Sequence, residues 1–500
     1  MVKGQGVERF LKAKKHRPVR VLPRGEFRRI MRRKVILLSP KTFLFIAAGA
    51  AVFGLLATVN CRAQDAKAEP RVAGDPQIAA ALKQVSKERI QANVEKLVSF
   101  YTRSTVSAGN QELLNAGRGI DAARLWIVAE FERYSRACGG CLDVETYKFV
   151  QPQGERIPSP TEISDIYAVM NGTDAVNSKR IVLVTGHYDS RNSDPLDTKD
   201  YAPGANDDAS GTAVSLECAR VLSQMKFPGT IIFLAVAGEE QGLYGSQHFA
   251  QMAKEHGWNI EAVLNNDIVG GDKNAAQVAS IVRVFSEGLP AAATEQETRR
   301  IRALGEESDS GSRQLARYIA EVGRTYDTGV KPMLVFRPDR YLRGGDHTSF
   351  NQQGFAAVRF TEFREDFNHQ HQTPRTENGV EYGDHSKFVD YDYVTRVARL
   401  NAATLASLAA GPGPPANVHL LTKNLENDST LMWDAPPGGL ATEYEVLWRA
   451  TTSPEWEHVL KVGNVTRATV QISKDEVVFA VRAVDKSGHR SLAVVPTPER

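Results

Sequence analysis

The chain has 500 residues, of which 42% are hydrophobic and 24% charged, the composition of a soluble globular protein with an ample core. This length exceeds one ordinary domain, so we expect two domains and a tail. The net charge of +3 is uneven: residues 1–41 hold 14 Lys/Arg and two acids, a balance of +12, which leaves −9 for the rest. An acidic remainder argues against nucleic acid as a partner.

An uncharged run of 17 residues, Thr42–Thr58, follows this basic head. It is slightly long for the apolar part of a signal peptide and slightly short for a membrane-spanning helix. Cys61 and Ala63 offer small residues at positions −3 and −1 of a cleavage site before Gln64. We predict an exported protein, periplasmic or extracellular, with membrane anchoring by an uncleaved segment as the alternative. Met31 is a second candidate start.

Cysteine usage is compatible with export. Cys138 and Cys141 form a C-x-x-C pair that could be a redox pair, half a zinc site or a short disulfide. We favour the disulfide, because an oxidising compartment preserves it. Cys218 lies among apolar residues at helical spacing and is predicted to be core.

The stretch that follows the apolar run begins with helical patterns over residues 75–100 and 113–134. LDVETYKFV and ISDIYAVMNGT then predict an edge hairpin. After Asp267 comes a polar stretch, residues 287–312, interpreted as a surface insertion or helix. A helix (SRQLARYIAEVG), two strands (MLVFRP and AAVRFTEF) and a terminal helix (residues 389–410) complete the region.

Three apolar runs lie between the predicted hairpin and the polar stretch, and each of them ends in acidic or histidine residues. IVLVTGHYDS delivers His187 and Asp189, IIFLAVAGEEQG delivers Glu239 and Glu240, and EAVLNNDIVGG delivers Asp267. The loop PGANDDASG adds two further acids, Asp207 and Asp208. Such runs are typical of buried parallel strands, whose carboxyl ends carry the sites of open α/β sheets. Carboxylates with imidazole and no thiolate suit zinc, then cobalt or manganese.

GHYDS, PGANDDASG, AGEEQGLYGS and NNDIVG, in this order, resemble the motifs of the co-catalytic zinc aminopeptidase family. That family includes secreted leucyl-type aminopeptidases and relatives of glutamate carboxypeptidase and glutaminyl cyclase. The resemblance covers residues 76–410. It implies an α/β fold with a mostly parallel sheet sandwiched by helices, two zinc ions and peptide substrates.

The resemblance also implies roles. His187 and Asp267 would bind one zinc, Glu240 the second, and Asp207 both, supported by Asp208. Asp189 would orient the His187 imidazole. Glu239 would be the general base that takes a proton from the metal-bridging water and passes it to the leaving amine.

The fifth ligand departs from the family pattern, because NHQHQTPRTENG lacks an acid at the usual spacing. We predict His371 as this ligand, because a threonine follows closely and the terminal helix begins at a family-like distance. His369 is interpreted as a polar loop residue, and His347 as a pocket residue of a DH-x-x-F motif. Gln370 stands where the family often presents a tyrosine, so the oxyanion partner is open, with Tyr341 a candidate by proximity in sequence alone.

GPGPPA at 411–416 predicts a linker. Six or seven short strands in residues 417–500 then predict a β-sandwich, with a core of Trp433, Tyr444, Val446 and Phe479. WDAP, YEVLWR and FAVRAVDKSGHRS resemble a fibronectin type III module, although Phe479 replaces the usual tyrosine. The resemblance implies a spacer or a surface- or substrate-binding module.

Three functions remain in competition. The first is an exported di-zinc aminopeptidase. The second is a carboxypeptidase or a glutaminyl cyclase on the same scaffold. The third is a binding or adhesion protein with an inactive peptidase domain, against which the intact Glu239 and ligand set argue. Metal content and turnover of an aminoacyl anilide separate these functions.

Overall fold

A computed structural model describes residues 74–499. The predicted export segment Thr42–Thr58 and the cleavage site before Gln64 therefore lie outside the described residues. Within residues 74–499, none of the helices is both long and apolar enough to span a membrane.

The larger part of the chain is built on an eight-stranded mixed sheet in the order β1-β2-β4-β3-β5-β8-β6-β7. Its four central strands, β4, β3, β5 and β8, are mutually parallel, and β1–β2 form the predicted antiparallel edge hairpin. The α/β class with a largely parallel centre is thus confirmed. The strands are β1 Asp143–Gln151, β2 Thr161–Met170, β3 Arg180–His187, β4 Thr230–Val236, β5 Asn259–Asn266, β6 Ile281–Ser286, β7 Lys331–Val335 and β8 Ala357–Glu362.

Helices cover the sheet because the central strands are apolar on both faces and must be buried on both. Every residue of β4 and β8 is buried. Two apolar clusters fill the layers, the larger between the sheet and helices such as α5 and α11, the smaller around Phe249 and Phe350. The helices are α1 Pro76–Leu82, α2 Lys87–Val98, α3 Gln111–Asn115, α4 Gly119–Ala137, α5 Ala209–Leu222, α6 Glu239–Gly242, α7 Tyr244–Glu255, α8 Glu295–Leu304, α9 Gly311–Tyr326, α10 Asp346–Gln352 and α11 Tyr391–Ala410.

The region after Asp267 contains one strand of the large sheet, β6, and a small hairpin that the sequence analysis did not predict. Strand β6 carries Arg283 and joins the sheet between β8 and β7. The polar stretch that follows contains α8, which begins with a capping box between Thr294 and Glu297. A small hairpin, β9 Arg375–Glu377 and β10 Val380–Tyr382, precedes α11.

Both expectations about the cysteines agree with the structure. Cys138 and Cys141 are joined as a disulfide at the end of α4. Cys218 is a free, fully buried thiol on α5.

Two antiparallel-rich sheets form the C-terminal part, in the orders β15-β12-β11-β17 and β14-β13-β16. Their shared core contains Trp433, Tyr444, Val446 and Phe479, the four residues predicted for it. The two sheets therefore face each other across one apolar layer. The strands are β11 Ala416–Leu421, β12 Ser429–Asp434, β13 Glu443–Ala450, β14 His458–Gly463, β15 Arg467–Val470, β16 Val477–Val484 and β17 Thr497–Glu499.

Buried ion pairs join this part to the rest of the chain. Arg449 on β13 donates to both carboxylate oxygens of Asp309, at 2.7 and 2.9 Å, and each residue of the pair has a side chain 2% exposed. Arg482 on β16 donates to Glu321 on α9 at 2.6 Å. The described residues consequently form one compact unit across the predicted linker.

Candidate active site

The candidate site begins where β3 ends. His187 is the last residue of β3 and is fully buried, and its Nδ1 lies 3.3 Å from Oδ1 of Asp189. The other Asp189 oxygen accepts a hydrogen bond from Thr105 Oγ1 at 3.0 Å. Asp189 therefore holds the imidazole with Nε2 directed away from it, toward the other site residues.

The loop before α5 supplies two acids with different surroundings. Asp208 caps α5 by accepting from the Gly211 amide at 2.9 Å, and its second oxygen accepts the His187 amide at 3.0 Å. A Cβ at Gly211 would lie 2.1 Å from the Asn266 carbonyl, so only glycine allows α5 to approach β5 this closely. Asp208 is thus a structural support, and Asp207 is left to face the site.

The two glutamates follow β4 through a tight turn. Gly238 has φ +75°, a conformation that favours glycine, and the chain then enters α6 with Glu239 and Glu240 as its first residues. The Glu240 side chain is 3% exposed and that of Glu239 is 15% exposed. Adjacent carboxylates at the start of a helix diverge, which allows different roles.

Asp267 directly follows β5, at the edge where β3 and β4 also end. Its Oδ1 accepts from Arg359 Nη2 at 2.7 Å, and Arg359 is fully buried on β8. Arg359 therefore fixes the Asp267 carboxylate from behind, while Oδ2 has no hydrogen-bond partner among residues 74–499.

His371 reaches the site from the loop after β8, in a left-handed backbone conformation with φ +56°. Its Nε2 lies 2.9 Å from Asp207 Oδ2 and 3.0 Å from Glu240 Oε2. The neighbouring Gln370 donates to Asp207 Oδ2 at 3.0 Å. The structure therefore brings His371 to the position proposed for the fifth ligand.

Asp207 stands between the two histidines. Its Oδ1 is 3.1 Å from His187 Nε2 and its Oδ2 is 2.9 Å from His371 Nε2. On the His187 side, Asp267 Oδ1 lies 3.9 Å away and Glu239 Oε2 4.0 Å. Two groups of three side chains result, each with ligand atoms within 4.8 Å of one another: His187, Glu239 and Asp267, and Asp207, Glu240 and His371.

These residues fit the predicted divalent metal. Ligand atoms about 2.0–2.1 Å from a tetrahedral ion lie roughly 3.3–3.5 Å apart, close to the separations observed. His187 Nε2, Asp267 Oδ2 and Glu240 Oε1 are buried and lack hydrogen-bond partners among residues 74–499. Burying such atoms unsatisfied is costly, and a cation would satisfy all three.

The electrostatics of the cluster point the same way. Burial alone would lower the pKa of His371, but Glu240 and Asp207 outweigh it and raise this pKa to about 10. Burial raises the pKa of Glu239 well above its ordinary range, and Asp267 and Glu240 add to this while His187 opposes it. Carboxylates thus outnumber the cationic groups in a buried space, which attracts positive charge.

The other candidate histidines lie elsewhere. His347 is buried, and its Nε2 bonds to the Pro338 carbonyl at 2.7 Å. His369 is more than the polar loop residue expected, because its Nδ1 lies 2.5 Å from Asp272 Oδ2 and its ring stacks on Phe388. Tyr341 is 77% exposed, with the Arg337 guanidinium over its ring.

Sequence reasoning missed two arginines of the site. Arg359 interrupts the apolar run AAVRF, and a charged residue inside a buried strand is a signal that could have been used. Arg191 lies 3.3 Å from Glu240 Oε2 through Nε, and its Nη2 lies 3.0 Å from His371 Nδ1. Nothing in the sequence around Arg191 distinguishes it from a solvent-exposed arginine.

Comparisons with known proteins show the family to which the chain is similar. A sequence model described as peptidase family M28 matches residues 165–405, a range that contains all the site residues named above except Thr105. A probable zinc metalloprotease of Pyrenophora tritici-repentis is 45% identical over 429 residues, covering 85% of this chain and 87% of its own length. Another, of Pyricularia oryzae, is 46% identical over 432 residues, covering 85% of each chain. Among solved structures, the LapA aminopeptidase of Legionella pneumophila aligns with 21% identity and a TM-score of 0.47, over 69% of this chain and 77% of its own.

Proposed function

The chain belongs to peptidase family M28 and is a zinc metallopeptidase, and from this premise we propose that it is a di-zinc aminopeptidase acting on peptides. The position of Asp207 carries the proposal of two metals, because its two oxygens face the two histidines. A carboxylate between two sets of ligands is what a pair of neighbouring ions requires. His187 and Asp267 would hold one ion, Glu240 and His371 the other, and Asp207 both.

Zinc in this site would polarise the scissile carbonyl and lower the pKa of the attacking water. Glu239 would accept the proton of that water and return it to the leaving amine. Its partial exposure lets it meet substrate. The proton that Glu239 takes from the water is the one it donates in the second step, so a single carboxylate serves as base and then as acid. Asp189 and Arg359 would hold His187 and Asp267 in place.

The ordered motifs around these residues support an aminopeptidase over a carboxypeptidase, because they resemble those of the co-catalytic zinc aminopeptidases. Arg191, at the edge of the site with a side chain 16% exposed, is the observation that favours the alternative, since arginine binds carboxylates. A glutaminyl cyclase is the other alternative on this scaffold.

One experiment separates these activities. Purified protein is supplied with an aminoacyl anilide, an N-acetylated peptide with a free carboxyl terminus, and a peptide with N-terminal glutamine. The aminopeptidase proposal expects hydrolysis of the first substrate, with two zinc ions bound at the catalytic centre of each chain. Cleavage of the N-acetylated peptide alone, or release of pyroglutamate alone, would refute it.

We also propose export, followed by removal of the residues before Gln64. The basic head, the apolar run Thr42–Thr58 and the Cys138–Cys141 disulfide support it, since disulfides persist in oxidising compartments. The test is sequencing of the N-terminus after cell fractionation. An intact N-terminus on a soluble cytoplasmic protein would contradict the proposal.

A further inference from the structure

A small cavity lies between the loops that follow β5 and β8, beside the proposed zinc ligands. It leaves about 10 Å³ for the centre of a water-sized sphere, which is room for one water molecule or one ion. His369 and six acids line it: Asp207, Asp272, Glu362, Glu365, Asp366 and Asp384. So many acids around so small a space require compensation.

Two of these acids are compensated by the protein. Glu365 accepts hydrogen bonds from three arginines, Arg283, Arg340 and Arg343, at 2.8–3.0 Å. Asp384 accepts the amides of Asn206 and Asp207 at 2.7–2.9 Å. Neither needs a further partner.

Asp207 faces the two histidines of the catalytic centre, so three acids and His369 remain. Asp272, Asp366 and His369 each offer one ligand atom, and these three atoms lie within 4.8 Å of one another. His369 is held in this position by its stacking on Phe388, with ring centroids 3.7 Å apart. Because acids and histidines also cluster where no metal binds, a second observation distinguishes the two cases.

Glu362 provides that observation. It is fully buried, and its Oε2 accepts from Asn206 Nδ2 at 3.1 Å and from the Asp272 amide at 2.8 Å. Its Oε1 is buried without a hydrogen-bond partner among residues 74–499, although Glu362 lines the cavity. A buried carboxylate oxygen without a partner, in the wall of the cavity that the other donor groups also line, is suited to face a bound cation.

We propose that Asp272, Asp366 and His369 bind one divalent cation, distinct from the metals of the catalytic centre, with the Glu362 carboxylate facing the same cation across the cavity. Three carboxylates and one imidazole suit a zinc or manganese ion. The cation would tie the loop after β5 to the loop after β8. Since these loops also carry Asp267 and His371, the cation would position both without contacting substrate.

The test counts zinc by equilibrium dialysis of the full-length protein against a zinc-buffered solution, with Glu362→Gln and Asp366→Asn as variants. Both variants should bind one equivalent less than the wild type. Asp392→Asn, which removes an acid 61% exposed on α11, is the matched control and should bind as the wild type does. His371→Ala, which affects the catalytic centre, should lose zinc independently of Glu362→Gln, so the two sites are counted separately.

Thermal unfolding gives a second measurement. Added zinc should raise the midpoint of the wild type more than that of either variant, because a ligand of the native state stabilises it. Equal zinc counts in wild type and both variants would overturn the proposal. So would a Glu362→Gln protein of undiminished stability with the full zinc count, since Glu362 would then be a neutral, protonated acid. If Glu362→Gln does not fold, Asp366→Asn, at a partly exposed position, decides the matter alone.

Discussion

At the scale of single residues, we assign different roles to Glu239 and Glu240, which are chemically identical neighbours. Glu239→Gln keeps the size of the side chain and removes a proton acceptor, so zinc should stay bound. Turnover should fall by about two to four orders of magnitude, the usual effect of removing a general acid–base group. Glu240→Gln replaces an anionic ligand with a neutral amide, so zinc should bind more weakly and activity should partly return with added metal.

Zinc content and rate, measured for both variants with and without added zinc, check this division. Loss of metal from Glu239→Gln with retention in Glu240→Gln would reverse the roles. Unchanged rates in both variants would mean that the active site lies elsewhere.

Arg359 offers a second test at this scale, because it fixes a ligand without being one. Arg359→Met keeps much of the buried volume but leaves Asp267 Oδ1 without its 2.7 Å partner. We expect weaker zinc binding by about 10–100-fold, the usual cost of removing an outer-shell partner. Competition with a zinc chelator measures it, and an unchanged affinity would contradict the positioning role. Arg364→Met, on the loop after β8, is the control.

At the scale of elements, the sequence predicted the strands that carry the site but not all of the sheet. β3, β4 and β5 are long apolar runs ending in acids, so both their type and their importance are visible. β6 is short and contains Arg283, whose charge is satisfied by Glu365 and the Glu362 carbonyl across the sheet. Such tertiary compensation leaves no mark on the local pattern, which is why β6 was missed. The same reason hid the cluster of Asp272, Asp366 and His369, whereas the charge of Arg359 within its apolar run was visible in the sequence.

Glu287, which directly follows β6, should make stability depend on pH. Burial raises its pKa to about 7, against the opposing effects of the Ala291 amide and Arg313. Below its ordinary pKa of 4.5 the group is protonated whether the chain is folded or unfolded, and stability is unaffected. As pH rises toward 7, the unfolded chain releases the proton first, so the free energy of unfolding falls.

Glu287→Gln should therefore stabilise the protein at pH 8 relative to wild type by about 1–2 kcal/mol, after allowance for solvent screening, and much less at pH 5. Denaturant unfolding at the two pH values measures this. Glu295→Gln on the surface of α8 is the control. An equal effect of Glu287→Gln at both pH values would show that the carboxyl is not held neutral.

At the scale of the whole molecule, the C-terminal sandwich and the peptidase region share buried charges. Asp309 forms ion pairs with Arg449 of the sandwich and with Arg317 of α9, at 2.7 and 3.2 Å. Asp309→Asn would leave two buried arginines without a counter-charge, so we expect a loss of about 3–5 kcal/mol in the free energy of unfolding. Glu455→Gln breaks an exposed pair with Arg324 at the same boundary and should cost less than about 1 kcal/mol. Similar costs for both would mean that the Asp309 network is hydrated in solution.

The linker at residues 411–416 predicts that a chain ending near Gly413 keeps a folded, active peptidase region. The arrangement of the site supports this prediction, because both partners of every hydrogen bond and ion pair described above for the site residues lie within residues 103–384. Asp309 also keeps Arg317 when Arg449 is removed. Removal of the sandwich should nevertheless lower the midpoint of thermal unfolding, because it uncovers a face of α9 and removes the Arg482–Glu321 pair. Turnover of an aminoacyl anilide at low temperature, together with a melting curve, measures both effects. A truncated chain that is folded but inactive would show that the sandwich contributes to the site. A truncated chain that does not fold would show that the two regions share a core.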